Sequence, residues 1–190
     1  FPREKICGGG LSAISQNILK DLDIPLRTPF VRTEEVHARL GRFDFRVRMP
    51  LLIVHREEFD DAMLETARER GVKILTETSV EAIEEGPDAV FVKTSRGCFE
   101  ARYVVGADGV NSQVRARLFG NQGVSLMRLM EVSTPLVGLE PLLDEKRVFV
   151  DFSMMAEGVF GYYWDFPALV GGRKTMNRGI FDTRLSTDKH

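Results

Sequence analysis

Four groups of residues in this 190-residue chain have types and spacings that could do chemistry. Residues 7–10 read Cys7-Gly8-Gly9-Gly10, followed by Leu11 and Ser12. Three consecutive glycines admit positive φ and let the backbone come close to another group, with a thiol beside it. Residues 103–115 run from Tyr103 through Asp108, Gly109 and Ser112 to Arg115. There an apolar strand delivers Asp108 and Gly109 to a turn, and a helix starts directly after it. The first amides of such a helix favour an anion, and Ser112 and Arg115 add a hydroxyl and a cation. Residues 162–167 read Tyr162-Tyr163-Trp164-Asp165-Phe166-Pro167. In a strand, Tyr162, Trp164 and Phe166 share one face and make an apolar wall suited to a flat or extended apolar molecule. Finally, Arg56 opens a helix, with Phe59 and Asp60 behind it. Each group also has an ordinary structural use: a glycine linker, a tight turn with a helix cap, a sheet core face, a solvated arginine.

The elements that must position these groups follow from hydrophobic periodicity. Ile14, Ile18 and Leu22 predict a helix over roughly 12–22. Phe43, Phe45, Val47 and Met49 alternate with Arg42, Asp44, Arg46 and Arg48, which predicts a half-buried strand. Leu51 to Val54 reads as a short apolar strand. Phe59, Met63 and Ala67 continue the helix that Arg56 opens, with acidic residues at its positive end and Gly71 as its stop. A meander follows: a strand over 73–83, a turn at 86–88, a strand over 89–94, and a strand over 98–105. A helix is predicted over roughly 111–118. Beyond it lie strands at 127–134 and 147–154, the aromatic segment at 160–166, and a last strand at 175–185.

Composition narrows the function classes. Hydrophobic residues make up 43% and charged residues 28%, enough apolar material for a core. The 26 basic against 28 acidic side chains give a net charge of -2, which argues against a nucleic-acid partner. No apolar run reaches the roughly 18 residues a membrane-spanning helix needs. The two cysteines, Cys7 and Cys98, make no disulfide framework, so a reducing, cytoplasmic setting is expected. His37, His55 and His190 are scattered without ligand spacing, so no metal site is expected. The glycines at 8 and 10 do not open a dinucleotide fingerprint: a full strand is lacking before them and an acidic residue about 20 positions on is lacking after them.

Together the motifs resemble the geranylgeranyl reductase family of FAD-dependent oxidoreductases, which share the p-hydroxybenzoate hydroxylase fold. Asp108, Gly109, Ser112 and Arg115 match the Asp-Gly motif of flavoprotein hydroxylases and their reductase relatives. Cys7 to Gly10 resemble the reductases' Cys-Gly-Gly-Gly segment. Tyr162, Trp164, Phe166 and Pro167 match their Tyr-x-Trp-x-Phe-Pro motif, which fits better than the related halogenase motif. The family follows that motif with Gly-x-Gly, whereas this chain has Gly179-Ile180-Phe181.

The resemblance implies a mixed α/β (α+β) fold: part of an FAD/NAD(P)-binding domain, with a helix and a β-meander, plus an antiparallel-sheet substrate lobe. It places residues 1–11 and 56–117 in the FAD-binding domain and 12–55 and 118–190 in the substrate lobe. It implies FAD contacts from Cys7, Gly8, Gly9, Gly10, Arg56, Val80, Asp108, Gly109 and Arg115, with Cys7 as a catalytic thiol. Tyr162, Trp164, Phe166 and Pro167 would contact substrate. The implied activity is flavin hydride transfer to C=C bonds of isoprenoid chains, with NADPH or a ferredoxin-like donor recharging the flavin. A flavin-dependent hydroxylase, or a cofactor-free module binding a lipid or a partner chain, are the alternatives. The family's Gly-x-Gly-x-x-Gly unit is expected before residue 1 and a second Gly-Asp motif after residue 190, which makes the chain an internal fragment. Self-association through open strand edges and a peripheral membrane contact complete the expectations.

Overall fold

The computed structural model describes residues 1–120, 127–136 and 146–183. They form two compact units: Phe1–Val72 with Met127–His190, and Lys73–Leu126.

The first unit is built on one seven-stranded sheet. Its strands are β1 (Gly10–Leu11), β2 (Phe30–Leu40), β3 (Phe43–Val54), β7 (Arg128–Pro135), β8 (Arg147–Asp151), β9 (Gly161–Val170) and β10 (Arg173–Asp182). Their spatial order is β1-β3-β2-β8-β9-β10-β7. Neighbours are antiparallel except β2 and β8, which run parallel and pair Glu35 with Arg147 through Arg39 with Asp151. Two helices belong to this unit. Helix α1 (Ala13–Asp21) starts where the Ser12 hydroxyl accepts the Ser15 N–H, as a capping residue should. Helix α2 (Arg56–Glu69) carries Glu57 and Glu58 in its first turn, where negative charge meets the helix dipole.

Register explains how one sheet face becomes apolar. Phe45, Ala38, Val150, Trp164, Gly179 and Glu131 are successive cross-strand partners over β3, β2, β8, β9, β10 and β7. Directly paired residues point to the same face. The core sits beside this row, where Leu51, Ile53, Val148 and Ala168 are buried and Val31, Val36 and Phe166 pack against them.

The structure corrects three expectations. The segments at 42–49 and 51–54 are one continuous strand, and neither face of its first half is buried. Phe43, Phe45, Val47 and Met49 are 46–55% exposed. The reason is positional: β1 pairs only with Leu52 and Ile53, so the core forms at that end and nothing among the described residues covers the other. Residues 30–40, which carried no prediction, form the strand that flanks it. The last strand runs Arg173–Asp182; Thr183 lies beyond its end, and residues 184–185 of the predicted span lie outside the described residues.

The second unit holds the meander β4 (Val80–Glu85), β5 (Val90–Thr94) and β6 (Gly97–Ala101), then helix α3 (Gln113–Phe119). The first meander strand starts at Val80 rather than residue 73, and the third ends at Ala101 rather than 105. No helix among the described residues is long and apolar enough to cross a membrane.

The burial pattern gives a contrast that can be measured. Ile53 is fully buried, so Ile53→Ala should lower stability by about 2–4 kcal/mol in urea unfolding. Phe45 is half exposed, and Phe45→Ser should change stability by less than about 0.5 kcal/mol.

Candidate functional site

In the first unit, two of the sequence motifs meet. The backbone of Gly9 lies on the end of β3, where its carbonyl accepts the Val54 N–H at 3.0 Å. Gly9 has φ +73°, and a Cβ there would come 1.9 Å from the Val54 carbonyl oxygen. A Cβ on Gly8 would come 2.9 Å from the Phe166 ring and 3.2 Å from Trp164 Nε1. The glycines are therefore needed because the segment is pressed onto its own sheet and onto the aromatic row of β9. Trp164 is buried, and Tyr162 stands beside it with ring centroids 6.1 Å apart.

Polar groups fix this arrangement. Trp164 Nε1 donates to Asn177 Oδ1 at 2.7 Å. Asn177 Nδ2 donates to Glu131 Oε1 at 2.8 Å and reaches the Cys7 carbonyl at 3.4 Å. Glu131 Oε2 accepts the Cys7 N–H at 2.5 Å. Burial pushes the Glu131 carboxyl above its ordinary range, although the bonds from Cys7 and Asn177 and the nearby His55 pull the other way. On the other flank, Arg56 grips Asp60 through two bonds of 2.8 and 3.0 Å. Burial opposes the Arg56 charge, but its bonds to Asp60 and to the Cys7 side chain outweigh that and hold it above its ordinary value.

The sequence thus led to Cys7, Gly8, Gly9, Gly10, Arg56, Tyr162, Trp164 and Phe166, and the structure gathers them around one end of the sheet. Pro167 lies apart from them. It alternates onto the opposite face with Tyr163, Asp165 and Arg178. There the Tyr163 hydroxyl donates to Asp165 at 2.6 Å, and burial together with that carboxylate pushes it up to about 12. Glu131 and Asn177 were missed, because neither stands in a motif. Only the register of β9, β10 and β7 reveals them. Gly179 was noticed as a departure from a pattern. In the structure it is the residue across from Trp164, where a Cβ would come 2.1 Å from the indole ring.

In the second unit, Asp108 caps α3: Gln113 N–H donates to its carboxylate at 2.7 Å. Hydrogen bonding from Ser112, and next from backbone N–H groups, lowers its pKa below the ordinary aspartate range despite some desolvation. The Ser112 hydroxyl accepts the Arg115 N–H at 3.0 Å. Gln113 Nε2 donates to the Val80 carbonyl at 3.1 Å, which ties the first meander strand to the helix start. Arg115 Nη2 donates to the Val110 carbonyl at 2.6 Å, and its Nε is buried with no partner among the described residues. A Cβ on Gly109 would meet nothing within 4 Å. Among the described residues no group of His, Cys, Asp and Glu could hold a metal.

Residues 16–163 match the family described as FAD binding domain, and the chain belongs to that family. It is 33% identical over 122 residues to geranylgeranyl diphosphate reductase of Rhodobacter capsulatus, a match covering 60% of this chain and 30% of that protein. It is 26% identical over 185 residues to an uncharacterized protein of Methanosarcina barkeri, covering 94% of this chain and 46% of that one. The fold is that of 2,6-dihydroxypyridine-3-hydroxylase from Arthrobacter nicotinovorans, with a TM-score of 0.70 at 14% identity over 100% of this chain and 49% of that one. The chain therefore spans less than half the length of each of these proteins. The cofactor of that family is FAD.

Two predictions arise from this geometry. Gly9→Ala should cost several degrees in thermal unfolding, while Gly10→Ala, whose Cβ would sit 3.7 Å from its nearest neighbour, should cost far less. The lowered pKa of Asp108 stabilises the start of α3 above the unfolded value of about 3.9. That contribution is lost as pH falls through the lower folded value. Amide exchange at Gln113 should accelerate over that acid window, and Asp108→Asn should remove the acceleration.

Proposed function

We propose that this chain is part of an FAD-dependent reductase that saturates C=C bonds of isoprenoid chains. The observation that carries the reading is the packing of the Cys7–Gly10 segment against Trp164 and Phe166, which brings together two motifs from opposite ends of the chain. The 33% identity to a geranylgeranyl diphosphate reductase supports it.

When bound, reduced FAD would supply a hydride equivalent to one carbon of the double bond, and the other carbon would take a proton from solvent. The chain's own residues do the rest. In the first unit, Cys7, Gly8, Gly9, Gly10 and Arg56 would lie against the cofactor. In the second, Val80, Asp108, Gly109 and Arg115 would contact it. Tyr162, Trp164 and Phe166 hold an apolar chain and keep water from it. Pro167 shapes the strand behind them. NADPH or a ferredoxin-like donor would restore the reduced flavin. A cytoplasmic protein with an isoprenoid substrate would meet the membrane surface peripherally.

The first experiment is a visible absorption spectrum after adding FAD and removing the excess. A retained flavin band supports cofactor binding by this chain, and a colourless protein makes it a cofactor-free module. Trp164→Ala should weaken geranylgeraniol binding, measured by equilibrium dialysis, by about tenfold, since a Trp→Ala truncation at an apolar anchor costs about 1.4 kcal/mol or more. Unchanged affinity overturns the substrate wall. In the complete protein, reduction leaves oxygen untouched, whereas a hydroxylase consumes it in step with product.

A further inference from the structure

We propose that Glu131 is the positioning residue of the Cys7–Gly10 segment: its carboxylate clamps this segment onto the aromatic row of β9.

The geometry carries this. Glu131 offers one oxygen to the Cys7 N–H at 2.5 Å and the other to Asn177 Nδ2 at 2.8 Å. Both partners are donors, so both oxygens must be acceptors. An ionised carboxylate satisfies them, and a protonated one puts a hydrogen against a donor. Asn177 meanwhile reaches the Cys7 carbonyl at 3.4 Å. The Cys7 residue is therefore held at both its N–H and its C=O by two side chains bonded to each other.

The clamp is also wired to the aromatic wall. The same Asn177 accepts from Trp164 Nε1 at 2.7 Å, and its orientation is fixed by having one donor and one acceptor side in use. Glu131, Gly179 and Trp164 are consecutive partners across β7, β10 and β9. Gly179 leaves the space over which the indole lies.

The charged surroundings of Glu131 come from three elements. The N-terminal segment brings Glu4, which raises its pKa, and the junction of β3 with α2 brings His55, which lowers it. That junction also brings Arg56, which pairs with Asp60, and Glu58, 3.5 Å from His55 Nδ1. From β10 comes neutral Asn177, while Arg178 points to the opposite face and pairs with Asp165. Burial is the largest influence and favours the neutral form, while the two hydrogen bonds favour the ionised one.

This inference concerns the same site as the proposed reductase and uses that reading only to say what the segment faces. Its test needs neither flavin nor isoprenoid, so the two can fail separately. Trp164 is the sole tryptophan, and its emission reports the clamp directly. In the 190-residue chain at pH 7.5, Glu131→Ala should shift that emission to the red, because Gly8 leaving the indole admits water, and Glu131→Gln, which keeps an acceptor for the Cys7 N–H, should shift it less. An emission maximum unchanged in Glu131→Ala overturns the proposal. A second reading covers misfolding. In a Cys98→Ser background at pH 7.5, Glu131→Ala should speed iodoacetamide labelling of Cys7 about tenfold through local opening. Val132→Ala, at the neighbouring exposed position, should leave the rate unchanged. Equal rates in the Glu131→Ala and parent chains overturn the clamp.

Discussion

The first unit depends on a missing side chain. Gly179 stands directly across β10 from Trp164, and the indole occupies the volume a Cβ would need. With the ring lying there, its N–H reaches Asn177, two residues along the same strand. Asn177 then reaches β7 and the N-terminal segment together. A burial event and a chain of hydrogen bonds thus depend on the same vacancy. The buried indole nitrogen is satisfied only because the ring can lie flat across the sheet, and an unsatisfied one would be costly.

Much of the site was legible because local chemistry announces itself. Cys7 to Gly10, Arg56, the Asp108–Gly109 turn and the aromatic alternation of β9 are each visible within a few residues of chain. Glu131 and Asn177 were not, since their meaning comes from strand pairing between residues far apart in sequence. The fold was legible on the same terms. Alternation predicted β3, but alternation says only that two faces differ, not that one is covered. The exposed stripe of Phe43, Phe45, Val47 and Met49 shows the difference. Strand β2 escaped because Arg32, Glu34, Glu35 and His37 break its apolar pattern, and its burial comes from β3 and β8 on either side.

Family and chemistry rest on different grounds. FAD belongs to the family that residues 16–163 match. Reduction of an isoprenoid rests on the aromatic row, the segment pressed against it and one partial relative. The apolar row does not end at Trp164: it continues in register through Val150 and Ala38 to the exposed Phe45.

The parallel pair of β2 and β8 sets an order of events during synthesis. Glu35 and Arg147 are register partners, and all of Lys73–Leu126 belongs to another compact unit. As the chain leaves the ribosome, β2 and β3 emerge with their apolar face bare and must wait while the whole second unit is made. Only then can β8, β9 and β10 arrive to close the sheet. Pairing at such separation is entropically slow, and an unfinished sheet edge is an invitation to aggregate. The arginines that alternate along β3 give that waiting hairpin a charged face, and like charges keep two such hairpins apart until the rest of the sheet is available.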